Sequence, residues 1–193
     1  MQDKPEILLI GGGGHCRSVI DVIELEGKFA ITGIIDKKEL IGESVLGYKI
    51  IGCDDDLTKF VDIYKYAVIT VGQIRSNSVR IKLFTSLQEL GYTLPAIISP
   101  LAYVSKHSDV DEGTVIMHHA LVNANVSIGK NCIINTKSLI EHDSVVENYC
   151  HISTGAIING GTLVKENIFI GSNSVSKESI TISSFVKAGS LVK

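Results

Sequence analysis

Two observations predict the fold class: a glycine-rich turn behind an apolar strand near the N-terminus, and a six-residue repeat running through the C-terminal half. Together they describe an α/β, half-Rossmann-like domain over residues 1–97, followed by a left-handed parallel β-helix of hexapeptide repeats over residues 98–193. The composition agrees. Trp is absent and aromatics make up 6%, which is thin for a helical core packed around large rings.

The elements follow in order. Glu6-Ile7-Leu8-Leu9-Ile10 reads as a strand that runs into Gly11-Gly12-Gly13-Gly14-His15. Val19, Ile20, Val22 and Ile23 then recur at helical spacing, predicting a helix from Ser18 to Glu26. Ile31 to Ile35 forms a second strand and ends in Asp36. This unit is the physical form of a phosphate or nucleotide site. Glycines let the backbone approach a ligand, the helix N-terminus favours an anion, and an acid after the second strand accepts hydrogen bonds from a sugar or base. Cys16 stands where the dinucleotide fingerprint has its third glycine, and the residues before 98 leave room for only half of a doubly wound sheet. A mononucleotide-linked ligand therefore fits better than a dinucleotide, and a turn with purely structural duties is the alternative. Tyr66 to Val71 reads as a buried strand ending at Gly72, Val79 to Leu90 as an amphipathic helix, and Pro95 to Pro100 as the passage into the repeat.

In that repeat, stepping by six from Ile98 to Ala188 meets Ile or Val at 14 of 16 positions, the exceptions being Ser176 and Ala188. The position four further on is small or apolar throughout, from Ala102 to Val192. One large and one small inward residue per hexad make one face of a triangular coil. Three hexads close a turn, and turns stack about 4.8 Å apart. Cys132 and Cys150 lie 18 residues apart in the small slot, which stacks them in neighbouring coils as core residues. All four cysteines are expected as free thiols.

Net charge is −3, which argues against a nucleic-acid binder that works by phosphate neutralisation. No apolar run approaches the roughly 20 residues that span a bilayer, and the first residues lack the order of a signal peptide, so a cytoplasmic protein without membrane partners is expected. Leu121, Val145 and Leu163 fall on outward positions of the prism and predict an oligomeric interface. His142 follows the inward Ile140 by two residues, at a corner where a side chain points toward a cleft. An imidazole with a pKa of about 6.5 suits a general base, and the adjoining Asp143 is placed to orient it. His107, His118 and His119 read as exposed surface residues, and no metal site is expected.

The Gly11–His15 turn, the block Asn135-Thr136-Lys137-Ser138-Leu139-Ile140-Glu141-His142-Asp143 and the stretch His151-Ile152-Ser153-Thr154-Gly155-Ala156 carry a resemblance. Over nearly the whole chain they resemble the bacterial nucleotide-sugar N-acetyltransferases and sialic acid O-acetyltransferases with a left-handed β-helix, most closely the bacillosamine-pathway 4-N-acetyltransferases. The resemblance implies a homotrimer with acetyl-CoA between neighbouring β-helices and the nucleotide sugar in the N-terminal domain. It implies that His142 is the general base, assisted by Asp143, and that His151 contacts the thioester region of acetyl-CoA. It places Gly160, Ser172 and Ser190 along the coenzyme, and Gly13, Gly14, His15, Asp36 and Gly72 around the nucleotide sugar. The chain departs from the family in having Asp143 where Glu is usual, and Lys37 where the bacillosamine-type enzyme has a second acid, which leaves uridine and guanosine nucleotides both open. It also ends at Lys193 without the Pro-Ala-Lys-like tail that usually helps cover coenzyme A. The implied activity is N-acetylation of the 4-amino group of a nucleotide-linked amino-deoxy sugar. O-acetylation of sialic acid or a related nine-carbon sugar is the alternative, and a non-catalytic scaffold of the same coils is a third.

Overall fold

The computed structural model describes residues 4–193. The chain forms two compact units: one from residues up to Gly72 and Ser78–Pro95, the other from Gln73–Asn77 and Ala96–Lys193.

The first unit is built on a five-stranded sheet. Its strands are β1 (Glu6–Ile10), β2 (Ala30–Ile35), β3 (Ser44–Val45), β4 (Tyr48–Gly52) and β5 (Tyr66–Ile69), in the spatial order β3-β4-β2-β1-β5. All neighbours are parallel except the β3–β4 hairpin. Beyond its first residue β1 is fully buried, as the continuous apolar run of a central parallel strand requires. The helix α1 spans Gly14–Glu26 and so begins four residues before Ser18. The glycine-rich turn itself supplies the first helical turn, where glycine costs least because those N–H groups have no intrahelical acceptor in any case. Its inward face is Cys16, Val19, Ile20, Val22 and Ile23.

The hairpin and the short helix α2 (Leu57–Phe60) carry no sequence signal of the usual kind. Leu46 and Gly47 form the hairpin turn with φ of 48° and 89°, and a leucine at positive φ is not a residue that announces such a turn. The β5 strand ends at Ile69, short of Val71, although the Thr70 N–H still donates to the Ile10 carbonyl at 2.9 Å. The Thr70 hydroxyl donates to the Gly11 carbonyl. From α3 (Ser78–Glu89), the buried Arg80 donates through Nη1 to the carbonyls of Ile69 at 3.0 Å and Val71 at 2.7 Å. The end of β5 is thus locked against the turn that follows β1.

The second unit is the β-helix. Two-residue strands stack into three parallel sheets, of five, six and five strands. The first sheet contains Ile97, Val115, Ile133, His151 and Phe169, the second runs through Leu121, Leu139 and Ile157, and the third through Ser127, Val145 and Leu163. Ile116, Ile134, Ile152 and Ile170 sit over one another as a buried ladder. At the corners from Gly113 to Ser179, three residues after each inward residue, the backbone turns left-handed. Gly113, Gly155 and Gly161 hold that slot, as do Asn125, Asn131, Asn167 and Asn173, in keeping with the tolerance of Gly and Asn for positive φ. Cys132 and Cys150 are buried free thiols whose Sγ atoms donate to the carbonyls of Glu147 at 3.2 Å and Lys165 at 3.0 Å. The contact with Cys132 and then burial push the Cys150 thiol well above the ordinary range, so it packs as a neutral core group.

One ladder position is corrected. Ala188 is exposed, and Val186 pairs with Ile170 in its place. Val192 likewise pairs with Ser176, 16 residues away rather than 18. Ser183-Ser184-Phe185 brings the chain round its corner in fewer residues, so the hexad phase slips by two in the last coil. The polar Ser176 is tolerated in the ladder because its hydroxyl accepts the Asn159 N–H at 2.9 Å.

Ile134→Ala should lower the unfolding free energy by about 2–5 kcal/mol. Val186→Ala should lower it by about 1.5 kcal/mol for two lost methyl groups, whereas Ala188→Ser should melt like the parent. Denaturant titration distinguishes these outcomes, and a silent Val186→Ala would restore the unbroken hexad phase.

Candidate active site

In the first unit a cleft of ≈ 730 Å³ opens at the end of β1 and β2. Gly11, Gly13 and Gly72 line one side, Asp36, Asp54 and Asp55 supply acids, and Lys37, Lys38 and Lys82 supply cations. The glycines divide by duty. Gly11 has a φ of 105°, and a Cβ there would lie 2.5 Å from Val71 Cγ2, so this glycine is required by the fold. A Cβ on Gly13 or Gly14 would meet nothing within 4 Å. Packing does not demand these two, and both are exposed at the N-terminus of α1, where no side chain caps the helix and no acid sits in the first turn. Such a terminus favours an anion brought against bare backbone. His15 is half-buried in the first turn of α1, and a Cβ on Gly72 would lie 3.5 Å from the Cβ of His15. Asp36 accepts the Gly12 N–H through Oδ2 and the Lys37 N–H at 2.7 Å through Oδ1, so it braces the turn while facing the cleft.

In the second unit His142 and Asp143 occupy the corner between the second and third sheets. His142 Nδ1 lies 2.7 Å from Asp143 Oδ2. The carboxylate accepts, so Nδ1 carries the proton and Nε2 presents its lone pair. The side chain is 62% exposed, and Nε2 has no hydrogen-bond partner among the described residues. The hydrogen bond that Nδ1 donates to Asp143, and then the charge of that carboxylate, raise the His142 pKa above its ordinary value. Asp143 adopts the left-handed slot with a φ of 61°, and its other oxygen accepts from Asn125 Nδ2 at 2.7 Å. Those two hydrogen bonds, from Asn125 and then from His142, hold its carboxyl below the usual range. A Cβ on Gly160, one coil on, would lie 3.0 Å from His142 Cε1 and 3.1 Å from Nε2, so the ring rests directly over that residue.

Residues 6–87 match the PglD N-terminal domain family. Perosamine N-acetyltransferase from Caulobacter crescentus, solved with CoA and GDP-perosamine, is similar at 28% identity with a TM-score of 0.90, over 97% of this chain and 88% of its own. The acetyltransferase domain of PglB from Neisseria gonorrhoeae FA1090, solved with acetyl coenzyme A, is similar at 28% identity and a TM-score of 0.89, over 98% of this chain and 93% of its own. WeeI from Acinetobacter baumannii AYE shares the fold at 20% identity, with a TM-score of 0.77 over 98% of this chain and 94% of its own. Over nearly its whole length the chain is similar to nucleotide-sugar N-acetyltransferases, and residues 6–87 carry their N-terminal domain.

Within this acetyltransferase, the residues expected to line the coenzyme fall on different edges of the prism. Gly160 stands beside His142, whereas Ser172 and Ser190 stand on the edge between the first and second sheets. Ser172 Oγ is 2.9 Å from Ser153 Oγ, and the Ser190 N–H donates to Ser174 Oγ at 3.4 Å. His151, on the first sheet, is 6% exposed. Its Nδ1 donates to the Gln73 carbonyl and its Nε2 lies 3.1 Å from Asn135 Nδ2, which accounts for both ring nitrogens with the imidazole neutral. The surface reading of His118 is corrected. It is half-buried, with Nδ1 2.6 Å from the Oγ of the buried Ser99. Sequence reasoning missed Asn125, Arg80 and, in the cleft, Lys38, Lys82, Asp54 and Asp55. Asn125 lies 18 residues before Asp143, one coil away, so the repeat period held the signal that finds it.

Proposed function

We propose that this chain transfers the acetyl group of acetyl-CoA to the 4-amino group of a nucleotide-linked amino-deoxy sugar. One observation carries the reading: His142 is bonded through Nδ1 to Asp143 while Nε2 is unbonded and open to solvent. The neighbours solved with CoA, acetyl-CoA and GDP-perosamine support it. The bare helix terminus at Gly13 and Gly14, with Lys37, Lys38 and Lys82 in the same cleft, suits a nucleoside diphosphate. The neutral amine attacks the thioester carbonyl, Nε2 of His142 takes the ammonium proton as the C–N bond forms, and the proton passes to the departing thiolate as the C–S bond breaks. Asp143 holds the tautomer that leaves Nε2 free and favours the transient imidazolium. His142, Asp143 and Gly160 on one edge, with Ser172 and Ser190 on another, fit a coenzyme that lies between two copies in a homotrimer. The exposed Leu121 and Val145, at 36% and 38%, and the half-buried Leu163 supply apolar surface for that contact. No helix among the described residues is long and apolar enough to cross a membrane, and four free thiols suit a reducing compartment, so we place the enzyme in the cytoplasm.

His142→Ala should lower kcat by roughly 10²–10⁴ with little change in KM for acetyl-CoA. Because the base works in its neutral form and Asp143 raises its pKa, kcat/KM should climb with pH to a plateau reached above the ordinary imidazole range. Asp143→Asn should move that limb to lower pH and reduce kcat more mildly than loss of the imidazole. Steady-state kinetics with a GDP-linked or UDP-linked 4-amino sugar tests all of this, and parental turnover in His142→Ala would remove the mechanism.

Gly13→Ala should fold normally, because its Cβ has open space, yet lose the thermal shift that the nucleotide sugar confers on the parent. An undiminished shift would return this glycine to a passive role. Light scattering at micromolar concentration should report three copies, and a monomer would dismiss the shared coenzyme site.

A further inference from the structure

The His142 imidazole is confined on one side only by packing. The backbone of Gly160 lies so close beneath Cε1 and Nε2 that even a methyl group would crowd the ring. On its other side the ring depends on Asp143, and that carboxylate is itself 56% exposed. An exposed carboxylate on a short side chain does not hold its own rotamer, so something must fix it before it can fix anything else. Its hydrogen bonds are to His142, the group to be positioned, and to Asn125 Nδ2 at 2.7 Å. Asn125, itself exposed at its corner, is therefore the one partner of that carboxylate outside the group to be positioned.

We propose that Asn125 is a positioning residue of this reaction: its side-chain amide holds the Asp143 carboxylate where it fixes the tautomer of His142 and the direction of Nε2. The inference rests on His142 being the base. Three features of the fold support it. Asn125 and Asp143 occupy the same left-handed corner slot in consecutive coils, with φ of 59° and 61°. The Asp143 N–H donates to the Ala124 carbonyl at 3.2 Å, and the Ser127 N–H to the Ser144 carbonyl at 3.1 Å, so the backbones on either side of the pair are in register. The neighbouring acid is held in the same manner, since Glu141 Oε2 accepts from Asn123 Nδ2 at 2.7 Å. That bond restrains the second carboxylate that acts on the imidazole, and Asp143 is its hydrogen-bonded partner. The corner is thus two parallel rungs, each with an asparagine on one coil and an acid on the next.

The left-handed slot makes the test clean, because glycine fills it elsewhere in the β-helix, at Gly155 and Gly161. Asn125→Gly deletes the amide without straining the backbone. Asn125→Asp keeps the shape but replaces the donor with a carboxylate that repels Asp143. Both variants should keep the parental melting temperature and KM for acetyl-CoA, while kcat falls on the order of tenfold. In an NMR titration the His142 midpoint, identified by its absence in His142→Ala, should drop toward the ordinary imidazole value in Asn125→Gly, whereas the added carboxylate of Asn125→Asp opposes that drop. Parental kcat and midpoint in both variants would overturn the proposal, as would a lowered melting temperature with an unmoved midpoint. Failure of the underlying reading is told apart by His142→Ala: parental turnover there removes the base, whereas the midpoint shift in Asn125→Gly would persist.

Discussion

The stacking of each coil on the one before it is the constraint from which the rest of the second unit follows. Backbone hydrogen bonds run from coil to coil, for example from the Ile133 N–H to the Cys150 carbonyl and from the His151 N–H to the Ile168 carbonyl, each at 2.9 Å. Those bonds set how far each corner turns, and from Gly113 to Ser179 a left-handed residue stands at each of them. The His142–Asp143 corner is subject to that demand before any chemistry. Aspartate meets both requirements at position 143, because a short polar side chain tolerates positive φ and a carboxylate one methylene from the backbone reaches the neighbouring imidazole. The Asp in place of the usual Glu is thus accommodated by the corner itself, with Asn125 in the same slot one coil earlier to steady it.

The first unit works by the opposite logic, with its binding surface made where side chains are missing. What a Cβ would touch separates two kinds of glycine within one turn. Gly11 is held by Val71, which is held in turn by Arg80, so a structural chain runs from α3 through the end of β5 to the turn. Gly13 and Gly14 have open space and no such duty. Gly13 is the N-cap of α1 and Gly14 its first residue, so neither is placed there by the packing that requires Gly11.

Legibility in the sequence followed periodicity. The hexad announced the β-helix because each inward aliphatic is reported independently, and the strand–turn–helix unit announced the cleft because glycines and an apolar run are local signals. The hairpin at Leu46 and Gly47 was silent because its turn uses a residue that pattern reasoning does not associate with positive φ. The phase slip after Ile182 was invisible because Val186 and Val192 also satisfy the small-or-apolar slot, so two registers fit the same letters. His118 was misjudged because a corner position says nothing about the buried hydroxyl of Ser99 in the coil beneath it.

The exposure of His142 bears on how a base at this position would be tuned. A buried imidazole is pushed toward its neutral form by desolvation, whereas this one stands in water and is pushed the other way first by Asp143 and then by the charge of Glu141. Solvent weakens that influence, so in the free enzyme the pair is loosely coupled. Substrates that close over the corner would displace water from His142 and Asp143 together. The charge of Asp143 would then act through a lower dielectric and stabilise the imidazolium more strongly at the moment it forms. The same exclusion disfavours a charged ring before proton transfer. A pair left open in the free enzyme thus gains its strength on assembly with the substrates, and its geometry must already be right when that happens. Two hydrogen bonds of 2.7 Å, one on each oxygen of Asp143, provide that geometry in advance.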